Sequence, residues 1–307
     1  MAKLSVIIVG ATGVTGGSIV DALLTRPDFH VIALVRPASA SKPDVAALQG
    51  RGVEIRIADI EPSAEEQLVE ALRGADVVIC AIHGTEFAPQ YTLIDAVKKA
   101  GVKRYISNDW ASACTRGVRQ LHDEKLAAQD YVKKVGINYT FIGTGFWYLL
   151  PAIESVKSTG LGPLVDAYSR EIVGAGDVKS AMIDTRDIGE FVARILLDER
   201  TVNRYVFCYG EEVTQSEIHA LAERVSGHKI DRIRLRGEDI AEEVKTAPNY
   251  GMRAMAEYKY SGWVRGDNTI ENAKKEKYGG ALDARELYPD LKVRTLEEFA
   301  NEYYLSQ

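Results

Sequence analysis

The stretch Leu4-Ser-Val-Ile-Ile-Val-Gly-Ala-Thr-Gly-Val-Thr-Gly-Gly-Ser-Ile-Val-Asp-Ala-Leu-Leu24 decides the fold. An apolar run ends at Val9, glycines follow at Gly10, Gly13 and Gly16, and Ile19, Val20, Leu23 and Leu24 then recur at helical spacing. These are a strand, a tight turn and an amphipathic helix. Such a turn lets backbone N–H groups at the positive end of a helix approach a pyrophosphate, so a side chain at the middle or last glycine is disfavoured. Thr12, Val14 and Thr15, threaded between the glycines, complete the candidate loop. The G-x-x-G-x-x-G spacing is also found in ordinary strand-to-helix turns, and the legible strand before it and helix after it favour dinucleotide binding.

Strands and helices keep alternating through the first half of the chain. Strands are predicted at 30–35, 53–57, 76–82, 102–107 and 138–144, and helices at 65–72, 91–99 and 120–135. This period predicts an α/β protein with a doubly wound parallel sheet, in which ligands bind at the carboxyl ends of the strands. Asp59, Ala81, Ile82, His83, Ser107, Asn108, Asp109 and Trp110, together with residues 144–148, therefore fall on the ligand side with the glycine loop. Beyond Pro151 the pattern is less regular. Glycine-rich turns occur at 160–162 and 174–176, a helix is predicted at 187–197 and a strand at 204–209, and Thr214 with Glu217 and Thr295 with Glu298 form capping boxes. The expected organisation is a dinucleotide-binding domain over 1–150, rejoined by 177–205, and a smaller α/β substrate-binding region made of 151–176 and 206–307.

The end of the second strand discriminates between dinucleotides. An enzyme of unphosphorylated cofactor carries an acidic residue there, on the ribose hydroxyls; this chain has Arg36, with Ser39, Ser41 and Lys42 behind it. Two cations and two hydroxyls suit a 2′-phosphate, so NADP(H) is favoured over NAD(H). Solvated loop charges are the alternative account of Arg36 and Lys42.

With 307 residues, 46% of them hydrophobic, the chain can bury a large core. A net charge of −6 lacks the basic excess of a nucleic-acid surface. No signal-peptide layout and no apolar run of membrane-spanning length is present, so a cytoplasmic location is expected. Cys80, Cys114 and Cys208 lack C-x-x-C spacing and read as reduced thiols, and the five histidines have no ligand spacing, so no metal is expected.

One residue is out of place. In the helix 120–135, Leu121, Ala128, Val132 and Val135 share an apolar stripe, and Lys125 falls on it. A lysine facing the core either snorkels to the rim or sits in a cleft where desolvation tunes its pKa for proton transfer. Position 121 is Leu, so Lys125 lacks the tyrosine four residues earlier that short-chain dehydrogenases pair with their lysine. Phe87, Trp110, Phe146, Trp147 and Tyr148 follow strand ends on the ligand side and suggest an aromatic pocket for planar substrates, with His83 and His122 as candidate polar partners.

The run Gly10 to Gly16, the strand end Leu34-Val-Arg-Pro37 with Ser41-Lys42, the segment Gly101-Val-Lys-Arg-Tyr-Ile106, Lys125 followed by Gly136-Ile-Asn-Tyr-Thr140, and Asp187-Ile188 resemble the NmrA-like, isoflavone-reductase-like atypical short-chain dehydrogenases. The resemblance spans most of the chain and is looser in the last third. It implies an NADP-binding Rossmann domain with a small C-terminal substrate region, and NADPH-dependent reduction of aromatic, phenylpropanoid-like compounds. The family's lysine falls on Lys125, Arg36 and Lys42 would hold the 2′-phosphate, Asp59 would lie near adenine, and Gln90 would sit beside the cofactor cleft. Ser107-Asn-Asp-Trp110 stands where the plant reductases carry a proline-serine-acidic-phenylalanine run. The same broad family includes non-enzymatic NADP(H)-binding redox sensors that act through a partner protein and are expected to lack the lysine. A third reading is an epimerase-like or quinone-reducing enzyme on the same scaffold.

Overall fold

Residues 3–83, 87–153, 156–160 and 162–305 are described by the computed structural model. In chain order, β1 (Leu4–Val9), β2 (Phe29–Val35), β3 (Glu54–Ile57), β4 (Val77–Cys80), β5 (Arg104–Ile106) and β6 (Tyr139–Thr144) stand side by side as β3-β2-β1-β4-β5-β6. All of these pairs are parallel. Strand order reverses between β1 and β4, and at that point an α/β sheet opens a crevice for ligands. The later strands are β7 (Phe146–Trp147), β8 (Glu171–Val173), β9 (Lys179–Ile183), β10 (Arg204–Cys208), β11 (Glu211–Thr214), β12 (Ile233–Leu235) and β13 (Leu282–Asp283). Of these, β10 and β13 extend the large sheet past β6, β11-β9-β7 form a three-stranded sheet, and β12-β8 a two-stranded one.

The helices of the large sheet are α1 (Val14–Leu24), α2 (Pro43–Gly50), α3 (Glu65–Leu72), α4 (Ala88–Ala100), α5 (Gln120–Val135) and, after α6 (Pro163–Ser169), α7 (Thr185–Leu196). Alternate strand residues serve opposite faces, as a pleated strand requires. Val6, Ile8, Val31 and Ala33 join Ile19 and Leu23 of α1 and Ile188 and Phe191 of α7 on one side. Ile7, Val9, Ile32 and Leu34 meet Leu68 and Leu72 of α3 and Leu93 and Val97 of α4 on the other. Both faces are covered, which explains why these strands read as continuous apolar runs.

Helices α1 and α7 cross in direct backbone contact. A Cβ placed on Gly189 would lie 2.0 Å from Ser18 O. The Ser18 hydroxyl accepts from Gly189 N at 2.9 Å and donates to Arg186 O at 3.1 Å. A crossing this close needs a glycine on one helix and a small polar side chain on the other.

Several boundaries differ from expectation for local reasons. Helix α4 starts at Ala88, because Pro89 fits a first helical turn, where its missing N–H is not needed. Helix α7 starts at Thr185, since the Asp184 carboxylate caps it by accepting from Arg186 N at 2.8 Å. The fourth strand ends at Cys80, although Ala81 N still donates to Val9 O at 2.8 Å. Both capping boxes form. Among the described residues no helix is long and apolar enough to cross a membrane, and no group of His, Cys, Asp or Glu is arranged to hold a metal ion. The three cysteines are buried and unbridged.

Candidate cofactor cleft and aromatic cavity

The β1–α1 turn is closed by its own backbone. Gly10 has φ +91°, and a Cβ there would meet Ala81 O at 2.3 Å. At Gly16 a Cβ would stand 2.1 Å from Gly10 O, so close strand-to-helix packing, rather than a ligand, excludes a side chain at the last glycine. Gly13 is less constrained: its Cβ would lie 3.3 Å from Gly10 O. Helix α1 has no side-chain cap at Gly13 and no acidic residue in its first turn. Its first N–H groups and the positive end of its dipole are therefore left for an anion.

A cleft of about 700 Å³ opens at this turn. Gly10, Thr12, Gly13, Val14 and Thr15 line it, with Arg36, Ser39 and Lys42 after β2, Asp59 after β3, Ala81, Ile82 and His83 after β4, and Asn108 and Lys125. All but Lys125, which α5 supplies, follow separate carboxyl-terminal strand ends, as the sheet topology dictates. Arg36 and Lys42 are exposed and form no ion pair with a described carboxylate. Asp44 of α2 lines the same cleft, a contribution the sequence did not suggest. Ser41, Gln90 and Ser107 lie outside the lining, Ser41 exposed and the other two buried. Residues of this shape fit a dinucleotide: a glycine turn on an uncapped helix start, with unpaired cations one strand away.

Lys125 is 6% exposed and opens on this cleft. Its Nζ donates to Asn108 O at 3.2 Å and to Asp109 O. Burial lowers its pKa from 10.5 to about 8, opposed by the charge of Asp109 and reinforced by Arg119. The Asp109 carboxyl is itself pushed up to about 6 by burial, held back by Lys125 and Arg119, and accepts from Gln129 Nε2 at 2.7 Å. The snorkelling alternative does not describe this lysine, whose ammonium is held inside by main-chain carbonyls.

Those carbonyls belong to a strained turn at the end of β5. Asp109 N bonds Ser107 O at 2.8 Å, and Trp110 takes φ 41°, a conformation that costs a non-glycine residue on the order of 1–3 kcal/mol. Trp110 is secured there by Nε1 donating to Cys80 O at 2.8 Å and by its N donating to Ile142 O at 3.0 Å.

Beside the cleft lies a second cavity of about 590 Å³, predominantly apolar. Val14, Trp110, Trp147 and Tyr258 line both spaces, so the two share a wall. Phe146 and Tyr148 line the second cavity, the Tyr148 hydroxyl being bonded to Arg294 O at 3.1 Å and Glu211 Oε2 at 3.3 Å. Phe87 and His122 line neither. His122 is buried on α5, and desolvation with nearby Arg119 lowers its pKa to about 3. Tyr258 was not singled out from sequence. Arg119 stacks over its ring at 4.3 Å and bonds Ser112 Oγ at 2.8 Å. The available signal was the aromatic cluster Tyr258, Tyr260 and Trp263, whose segment ends in a π-helical turn, Tyr260–Val264, that bends Trp263 into the cavity wall.

The profile of the NmrA-like family matches residues 2–300. The asnovolin J 5',6'-dehydrogenase nvfM of Aspergillus novofumigatus is 36% identical, over 97% of this chain and 95% of that protein. An isoflavone reductase-like protein of Olea europaea is 28% identical over 98% of this chain and 99% of its own length. Among solved structures, isoflavone reductase superposes with TM-score 0.81 at 25% identity, covering 98% of this chain and 100% of that one. The binary complex of Vitis vinifera leucoanthocyanidin reductase with NADPH superposes with TM-score 0.82 at 22% identity, covering 98% and 99%.

Proposed function

The chain belongs to the NmrA-like family, and from that premise we propose that it is an NADPH-dependent reductase of small aromatic compounds, phenylpropanoid- or isoflavonoid-like molecules, enones or quinones. Lys125 is the group that donates a proton to the reduced substrate or stabilises its developing negative charge. The observation that carries this assignment is the position of Lys125: a buried ammonium on the cofactor cleft, next to a cavity walled by aromatic rings.

When bound, NADPH supplies the hydride. The uncapped start of α1 receives the pyrophosphate, and Arg36 and Lys42 receive the 2′-phosphate by charge-assisted hydrogen bonds. Asp59 borders the adenine end. Two of the three ammonium protons of Lys125 are committed to Asn108 O and Asp109 O, which aims the third. With a pKa of about 8 the group is protonated at neutral pH and gives up its proton more readily than a solvated lysine. Leu121 offers no phenol to relay that proton. Trp110 and Tyr258, on the wall shared by the two spaces, set apolar rings beside the cleft, where electrostatic stabilisation counts for more than in open water. Relatives named as reductases support the reaction class.

An NADPH-consumption screen over aromatic ketones, enones, quinones and phenylpropanoid ethers tests the assignment, with Lys125→Met in parallel. Wild-type protein is expected to oxidise NADPH with at least one class. The variant should bind NADPH normally and lose roughly two to three powers of ten in kcat, as loss of one preorganised donor does. Normal turnover by the variant ends the role of Lys125. Tight NADPH binding without consumption in any class favours the redox-sensor reading instead.

A further inference from the structure

The helix Gln215–Ser226 buries Gln215, Ile218, His219 and Ala222, the i, i+3, i+4, i+7 stripe of a core-facing helix. Two of these four are polar. Gln215 docks the helix on β8: its Oε1 accepts from Val173 N at 2.9 Å and its Nε2 donates to Glu171 O at 3.0 Å. One turn later, on the same face, His219 is 2% exposed, and its buried Nδ1 meets no hydrogen-bonding group among the described residues. Buried polar atoms without partners are costly and rare.

His219 lines the aromatic cavity and not the cofactor cleft, so it belongs to a different part of the site from Lys125. Desolvation, aided by Arg232 and opposed by Glu223, lowers its pKa to about 4, so the ring is neutral at physiological pH. A neutral imidazole offers one N–H and one lone pair. Glu171 lines the same cavity, its carboxylate paired with Lys259 Nζ at 3.3 Å. Of the other polar groups on that wall, the Ser169 hydroxyl is engaged, accepting from Ala152 N and donating to Asp166 O, whereas the buried Tyr303 hydroxyl, like His219 Nδ1, meets no partner among the described residues.

We propose that His219, with Glu171 on the same cavity, is the specificity determinant for a hydroxyl group on the part of the substrate that does not reach Lys125. The substrate class is then a phenol or alcohol whose apolar rings fill the aromatic walls. Resting on the reductase reading for its substrate, the inference is nevertheless testable by binding alone. A site built to bond a hydroxyl discriminates strongly against the analogue without one, because its own polar group is then left unpaired.

The probes are para-hydroxychalcone and chalcone, titrated calorimetrically into NADP+-saturated protein. Wild type is expected to bind the hydroxylated probe at least about tenfold more tightly. His219→Leu should bring the ratio to about one while leaving chalcone binding in place, and His219→Gln, which keeps a donor and an acceptor, should retain part of the preference. A wild-type ratio near one, a preference that survives in His219→Leu, or no binding of either probe overturns the proposal. Independently of any variant, the imidazole resonances of His219 in wild-type protein should move with para-hydroxychalcone and stay in place with chalcone; unmoved resonances also overturn it. Loss of preference in His219→Leu in a protein that never consumes NADPH keeps the anchor and refutes the reductase; NADPH consumption with a preference indifferent to His219 does the reverse.

Discussion

Replacing Lys125 by Met removes a buried ammonium whose effect on stability has a sign and a pH window. Its pKa falls from 10.5 to about 8 on folding, which at about 1.4 kcal/mol per pH unit amounts to about 3 kcal/mol against the charged form. Between those two values the unfolded chain holds a proton that the native chain has released, so stability rises with pH through the window and is unaffected by this group below it. Lys125→Met lacks the titration. The unfolding free energy of wild type minus that of the variant is therefore expected to grow by about 3 kcal/mol from pH 8 to pH 10.5. Asp109 adds to the trend. Lys125 is the first of the influences holding its carboxyl down, so in the variant that carboxyl keeps its proton to higher pH in the fold than in the unfolded chain, and the variant loses stability as pH rises. Urea unfolding followed by tryptophan fluorescence at a series of pH values measures both effects. A difference that stays constant across the range refutes the claim that the native ammonium is desolvated.

If Arg36 pairs with a 2′-phosphate, Arg36→Ala should narrow the NADPH-over-NADH preference by about 1.5–3 kcal/mol; equal wild-type affinities for the two dinucleotides in calorimetry would exclude the pairing. Gly189→Ala places a methyl 2.0 Å from Ser18 O and should cost about 2–4 kcal/mol through overpacking and lost hydrogen bonds at the helix crossing, seen as a lower urea midpoint. Stability unchanged in that variant would mean that α1 and α7 separate freely.

The parts of the fold written in local patterns were legible before the structure. Glycine spacing, continuous apolar strands and the capping pairs Thr214/Glu217 and Thr295/Glu298 all depend on residues close in sequence. The same holds for Lys125, which stood out because its helix has one readable stripe. Tyr258 and His219 were not legible as site residues because their place depends on how distant segments dock: the helix Gln215–Ser226 is fixed at the cavity by Gln215 bonding β8, and Tyr258 packs against Arg119 and Phe146. Gln90 and Ser107 follow the opposite pattern. They lie at the expected positions along the chain, yet both are buried and outside the lining of the cleft, and that cannot be read from spacing. At Gly16 the sequence pointed to the right constraint and the wrong cause, since the collision is with Gly10 O within the turn itself.

The crossing of Ser18 and Gly189 joins segments 171 residues apart. Helix α1, which presents the glycine turn, packs beside α7, whose Ile188, Phe191 and Val192 belong to the same apolar cluster, so the part of the sheet from β1 to β6 does not contain the whole of its own covering layer. An N-terminal fragment ending at β6 would leave uncovered the α1 surface around Ser18 and Ala22 that Gly189 of α7 packs against, together with the apolar cluster that Ile188 and Phe191 complete. During synthesis the same surface stays bare until α7 emerges, and such exposed apolar surface is what chaperones bind and what drives aggregation. The helix behind the glycine turn thus gains its full packing only once α7 has docked on it.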